Sequence, residues 1–136
     1  MSITSKVIYR GDLRTEAEHI KSGTKIVTDA PVDNQGKGES FSPTDMVATA
    51  LGSCMLTIMG IKARDKEIDI EGAEVETIKT MASDPRRISK IDIKLTMPAK
   101  NYSEKDKKNL KAAAEACPVQ RSLHTDMEIA INVIWS

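Results

Sequence analysis

Residues 42–62 read SPTDMVATALGSCMLTIMGIK, and this stretch decides the fold. Ser42 suits a helix N-cap, Pro43 suits the first helical position, and Asp45 stands three residues after Ser42 as a capping-box variant. From Thr44 to about Lys62 the apolar residues recur at helical spacing. Val47, Leu51, Cys54, Ile58 and Ile61 share one face, while Met46, Ala50, Met55 and Met59 cover much of the rest. No charged residue occurs between Met46 and Ile61. A helix that is apolar nearly all round belongs inside a core or an interface.

Working outward, residues 3–10 and 13–19 read as a short hairpin around Gly11-Asp12, with a third short strand at 24–28. Residues 29–42 hold Pro31, Gly36 and Gly38 and read as a loop. Beyond the helix, residues 67–80 alternate at Ile68, Ile70, Val75 and Thr77, with Gly72 expected as a bulge. Residues 88–97 alternate at Ile91, Ile93, Leu95 and Met97, so the two segments form a hairpin with one buried face. Ser103, with Asp106 three later, caps a second helix to about Ala116, which Pro118 breaks or restarts. Met127, Ile129, Ile131, Val133 and Trp135 alternate as a last strand. Strands interrupted by two helices predict an α+β domain of antiparallel sheets rather than a βαβ parallel sheet.

The length, 136 residues, fits one domain, 1–136, with a hydrophobic core of its own. Twenty basic and 20 acidic side chains balance, which argues against a nucleic-acid partner, since phosphate contacts need a surplus of Lys and Arg. No apolar run is read as approaching the roughly 20 residues of a membrane span, so no membrane partner is expected. The N-terminus MSITSKVIYRGD has no apolar signal region, so a cytoplasmic location is expected. Only four aromatics are present against seven Met. The core is therefore aliphatic, suited to a pocket for an apolar aliphatic ligand and not to base stacking.

Two cysteines remain to be explained. Cys54 lies near the middle of the apolar helix and Cys117 at the end of the second. A metal site is disfavoured, because there is no CxxC pair and the two histidines, His19 and His124, are far apart. Each cysteine can be read as a small core hydrophobe or as half of a redox pair. A redox pair needs a thiolate, and a mid-helix Cys gains little from the helix dipole. A nearby Arg held by a carboxylate would displace the proton. Arg10, Arg14, Arg64, Arg86, Arg87 and Arg121 are candidate donors, and Asp45, Glu39 and Glu115 candidate holders. Spacing does not choose among them.

The runs SPTDMVATALGSC (42–54) and AAEACPVQRSL (113–123), with the terminal MEIAINVIW, resemble the OsmC/Ohr superfamily, and within it an OsmC-like branch. These are the osmotically inducible and organic hydroperoxide resistance proteins. The resemblance implies an OsmC-like fold, with antiparallel sheets around two helices, one of them long and buried, in an intertwined homodimer. It also implies a thiol-dependent peroxidase that reduces small-molecule organic hydroperoxides in oxidative stress defence, with no cofactor and no metal. Cys54 would be peroxidatic and Cys117 resolving, with Arg14 activating Cys54 and Arg10 as fallback. An external dithiol would be the reductant. Where the family has an acid directly after the Pro, this chain has Thr44 and then Asp45, so these are the candidate orienters of Arg14. Met55 and Met59 are expected to wall the substrate pocket. The alternative is a small-ligand-binding or redox protein with little peroxidase turnover.

Overall fold

The computed structural model describes residues 2–136. The chain divides into two compact units, residues 1–46 and 47–136.

The first unit is a three-stranded antiparallel sheet in the order β1 (Ser5–Gly11), β2 (Arg14–His19), β3 (Lys25–Asp29). The expected hairpin and third strand are all present. Val7 pairs with Ala17, and Ala17 with Ile26, so one face carries a row of small and aliphatic residues. Arg14 pairs with Asp29 on the other face. The loop after β3 contains a short 3-10 turn, Val32–Asn34. It folds tightly enough that a Cβ on Gly36 would lie 1.7 Å from the Ala30 carbonyl oxygen. Only glycine allows that approach.

Helix α1 (Pro43–Asp65) begins in the first unit and continues through the second. Its start follows the expected capping box in both directions. The Asp45 N–H donates to Ser42 Oγ at 3.0 Å, and the Ser42 N–H donates to Asp45 Oδ2 at 2.9 Å. By length and composition α1 would also cross a membrane, with a mean hydropathy of 1.5. This corrects the expectation that no segment approaches that length. A core helix passes the same test, and here Leu51, Met55 and Met59 are completely buried.

The second unit holds the core. Strands β4 (Glu74–Ala82), β5 (Arg87–Thr96) and β6 (Glu128–Ile134) form one sheet with β5 in the middle. Ile91, Ile93 and Leu95 of β5 share a buried cluster with Leu51, Met55 and Met59 of α1 and with Leu110 and Ala114 of helix α2 (Glu104–Glu115). Strand β4 begins seven residues later than expected. Gly72 sits in a turn with φ of +95° and is not a bulge, while the register shift falls between β4 and β5 where Ser89 has no partner. Ile68 and Ile70 still pack against the core from outside the strand.

One further correction concerns direction. Strand β6 runs parallel to β5, so this sheet is mixed and contains one β–α–β crossover. The segment 97–127 holds α2 and the short helix α3 (Pro118–Ser122), long enough to return the chain to the same end of the sheet. The fold remains α+β.

The buried face of α1 also differs from the expected one. It runs through Ala48, Leu51, Gly52, Met55, Met59 and Ala63, while Ile61 is exposed and Cys54 sits half-buried on the flank. Each residue along a helix turns about 100°, so seating Met55 inward swings Cys54 to the edge.

Candidate functional site

In the second unit the core geometry brings the two cysteines together. Cys54, on the flank of α1, is a thiol neighbour of Cys117, near enough to act on that thiol's titration. Both are free thiols. Cys117 is completely buried and occupies the N-cap of α3, where Pro118 has restarted the helix. A capping residue normally offers an oxygen; here Sγ accepts the Gln120 N–H at 3.3 Å. Burial pushes the Cys117 thiol above its ordinary value, the Gln120 N–H pulls it back, and the neighbouring Cys54 adds to the rise. Cys117 is therefore the thiol kept protonated, while Cys54 is the one with an exposed edge. This arrangement suits a pair in which an outside reactant meets Cys54 first.

The first unit holds one arginine between two carboxylates. The Arg14 guanidinium grips Asp29 in a two-pronged pair, Nε to Oδ1 at 2.7 Å and Nη2 to Oδ2 at 2.8 Å. Nη2 also reaches Glu39 Oε1 at 3.1 Å, and the Glu39 backbone N–H donates to Asp29 Oδ2 at 3.1 Å. Asp29 is 1% exposed. Its carboxyl is held below the usual carboxylate range, first by the hydrogen bond from Arg14, while burial pulls the other way. Asp29 in turn drives Arg14 further towards its charged form. A planar guanidinium fixed at two nitrogens by one carboxylate presents its remaining N–H groups in a set direction. Arg10, the fallback, pairs with Glu16 at 3.0 Å.

The expected orienters, Thr44 and Asp45, sit at the cap of α1, where Asp45 closes the capping box and the Thr44 and Ser42 hydroxyls lie 3.2 Å apart. The carboxylates on Arg14 come instead from Asp29 and Glu39. Glu39 stood among the candidate holders in the sequence. Asp29 did not, although extending the strand at 24–28 by one residue puts it opposite Arg14. Met55 and Met59 are 0% exposed and form part of the aliphatic core, which corrects the expectation that they wall a substrate pocket. The structure opens an apolar cavity elsewhere, of about 510 Å³ within the first unit, lined by Val7, Ala17, Ile26, Pro43 and Met46 among others. Among the described residues no group of three His, Cys, Asp or Glu side chains is placed to hold a metal ion. His19 and His124 are exposed; His19 Nδ1 lies 2.6 Å from Ser22 Oγ.

The fold matches solved structures over its whole length. A protein of Psychrobacter arcticus 273-4, named as a candidate osmotic stress induced and detoxification response protein, is 54% identical with a TM-score of 0.92, over 100% of this chain and 97% of its own. An organic hydroperoxide resistance protein OsmC of Legionella pneumophila is 15% identical with a TM-score of 0.75, over 97% of each chain. An organic hydroperoxide resistance protein of Elizabethkingia anophelis is 11% identical with a TM-score of 0.76, over 100% of this chain and 99% of its own. The last two likenesses are of fold alone. Among curated proteins none matches. The model of the OsmC-like protein family covers residues 36–132, which include both cysteines, and the chain belongs to that family.

Proposed function

We propose that this protein is a thiol-dependent peroxidase for organic hydroperoxides, working in the cytoplasm as a homodimer. The observation that carries the reading is the pair of neighbouring free thiols, one with an exposed edge and one buried at a helix cap. The Cys54 thiolate attacks the terminal oxygen of ROOH, the O–O bond breaks, and the alkoxide leaves as the alcohol after taking a proton. Cys54 is then a sulfenic acid. The Cys117 sulfur attacks the Cys54 sulfur, forming a disulfide and releasing water, and so prevents over-oxidation. An external dithiol restores both thiols by exchange.

Arg14 takes its part by family resemblance, as the cation that favours the thiolate and the developing charge on the leaving oxygen. The two-pronged grip of Asp29 supports that assignment, because it supplies what an acid beside Pro43 would otherwise do. The homodimer is supported by apolar side chains that the chain leaves exposed on the sheet of the first unit, Val7, Tyr9 and Ile26 among them.

The test is direct. Purified protein with a dithiol should consume cumene hydroperoxide, and the Cys54→Ser variant should not. Equal rates for the two would end the peroxidase reading.

A second reading is a binding protein for a small apolar ligand, favoured by the 510 Å³ cavity in the first unit. The pH dependence of Cys54 alkylation separates the two. An unactivated thiol titrating at about 8.5 belongs with the binding role, and a clearly lower value with the peroxidase.

A further inference from the structure

Gln120 is the third residue of α3, and its backbone N–H is the one that donates to Cys117 Sγ. Its side-chain Oε1 is buried and accepts no hydrogen bond among the described residues. Buried polar atoms are nearly always partnered, so an idle acceptor on the residue whose N–H meets the Cys117 sulfur asks for a reason. Cys117-Pro118-Val119-Gln120 has the form of a capping box with a thiol in place of the usual hydroxyl. In such a box the side chain at the third helical position folds back over the capping residue. Here one half of the box is made, from the Gln120 N–H to Sγ, and the return bond, from the Cys117 N–H to the Gln120 side-chain oxygen, is not.

In the dithiol state neither sulfur supplies a hydrogen to Oε1. Oxidation changes that, because a sulfenic acid adds an O–H donor to Cys54, the thiol neighbour of Cys117. We propose that Gln120 Oε1 accepts the hydroxyl hydrogen of the Cys54 sulfenic acid, making Gln120 a positioning residue for disulfide formation. The inference rests on the peroxidase reading above, with the organic hydroperoxide as oxidant. In the step itself the Cys117 sulfur attacks the Cys54 sulfur, the S–S bond forms and the S–O bond breaks. The departing hydroxide takes the Cys117 thiol hydrogen and leaves as water. Gln120 gains and loses no proton: Oε1 aligns the leaving hydroxyl, while its N–H stays on the Cys117 sulfur as that sulfur gives up its hydrogen.

The experiment compares the full chain with Gln120→Met, which keeps length and loses the acceptor, and Gln120→Glu, which keeps an acceptor. Each is mixed with one equivalent of cumene hydroperoxide, and sulfenic acid and disulfide are followed by rapid quench and mass spectrometry. The rate of disulfide formation relative to sulfenic acid formation should fall about two- to tenfold in Gln120→Met, the size of one hydrogen bond. It should recover in Gln120→Glu. In a Cys117→Ser background, where the sulfenic acid persists, Gln120→Met should move its titration to lower pH, because an acceptor on the hydroxyl favours the neutral acid. An unchanged ratio with an unchanged titration overturns the proposal, as does a Gln120→Glu variant indistinguishable from Gln120→Met. If the unaltered protein forms no sulfenic acid at Cys54, the peroxidase reading itself fails and takes this one with it. That failure is recognised before any variant is made.

Discussion

Gly52 packs α1 against β4, and its replacement by alanine gives a quantitative test of that packing. A Cβ at Gly52 would stand 2.8 Å from Val75 Cγ1 and 3.3 Å from Thr77 Cγ2. The first distance is about 0.6 Å short of ordinary contact, so Val75 or the helix must move. Forcing a methyl into a well-packed site costs about 1–3 kcal/mol. Against this, alanine in a helix interior is about 1 kcal/mol better than glycine. The net loss for Gly52→Ala is therefore about 0–2 kcal/mol, a fall in Tm of up to about 8 °C for a domain of this size. The net value alone is a weak test because two terms oppose. A double-mutant cycle separates them. In a Val75→Ala background the clash is relieved, and Gly52→Ala should stabilise by about 0.5–1 kcal/mol through helix propensity alone. Urea unfolding of all four proteins gives the coupling energy, expected at about 1–3 kcal/mol. A coupling below about 0.3 kcal/mol, the usual limit of additivity for sites that do not touch, would refute the account of Gly52 as a contact residue.

Two further outcomes follow from the arginine clamp. The Asp29 carboxyl titrates lower in the folded chain than in the unfolded one, so its pairing stabilises above the unfolded carboxylate value of about 3.9 and is lost as pH falls through the folded value. Asp29→Asn should be less stable than the parent at neutral pH, with the gap closing as acid unfolding is followed below about pH 4; a gap that is constant with pH would count against the pairing. Gly36→Ala puts a Cβ 1.7 Å from the Ala30 carbonyl oxygen, so the loop carrying Glu39 must rearrange. Its expected signature is a drop in Tm together with faster amide exchange at Glu39, whose N–H is held by Asp29. Unaltered exchange there would separate the loop from the clamp.

The elements legible in the sequence are those with local signals. Ser42-Pro43 and Asp45 announce the start of α1, Ser103 and Asp106 that of α2; the box at α1 is made in both directions, and at α2 the Asp106 N–H donates to Ser103 Oγ at 3.1 Å. The alternation at Ile91, Ile93 and Leu95 identifies a strand because polar residues mark its outer face. The inner face of α1 was not legible for the opposite reason. With no charge between Met46 and Ile61, no polar stripe fixes the rotation of the helix, and apolar spacing alone puts Cys54 one step too far inward.

By itself, then, the sequence determined an α+β chain built on one uncharged helix, with two cysteines near helices and an arginine early in the sheet. Only the tertiary structure decided what those residues meet. It set the rotation of α1 that leaves Cys54 on the flank within reach of Cys117. It chose Asp29 over Asp45 as the grip on Arg14, because cross-strand pairing joins residues 14 and 29 while the helix cap engages residue 45. It set β6 parallel to β5, since alternation is the same in either direction and only the crossover through α2 and α3 distinguishes them. Local pattern specifies elements. Partners depend on packing, which joins residues far apart in the chain.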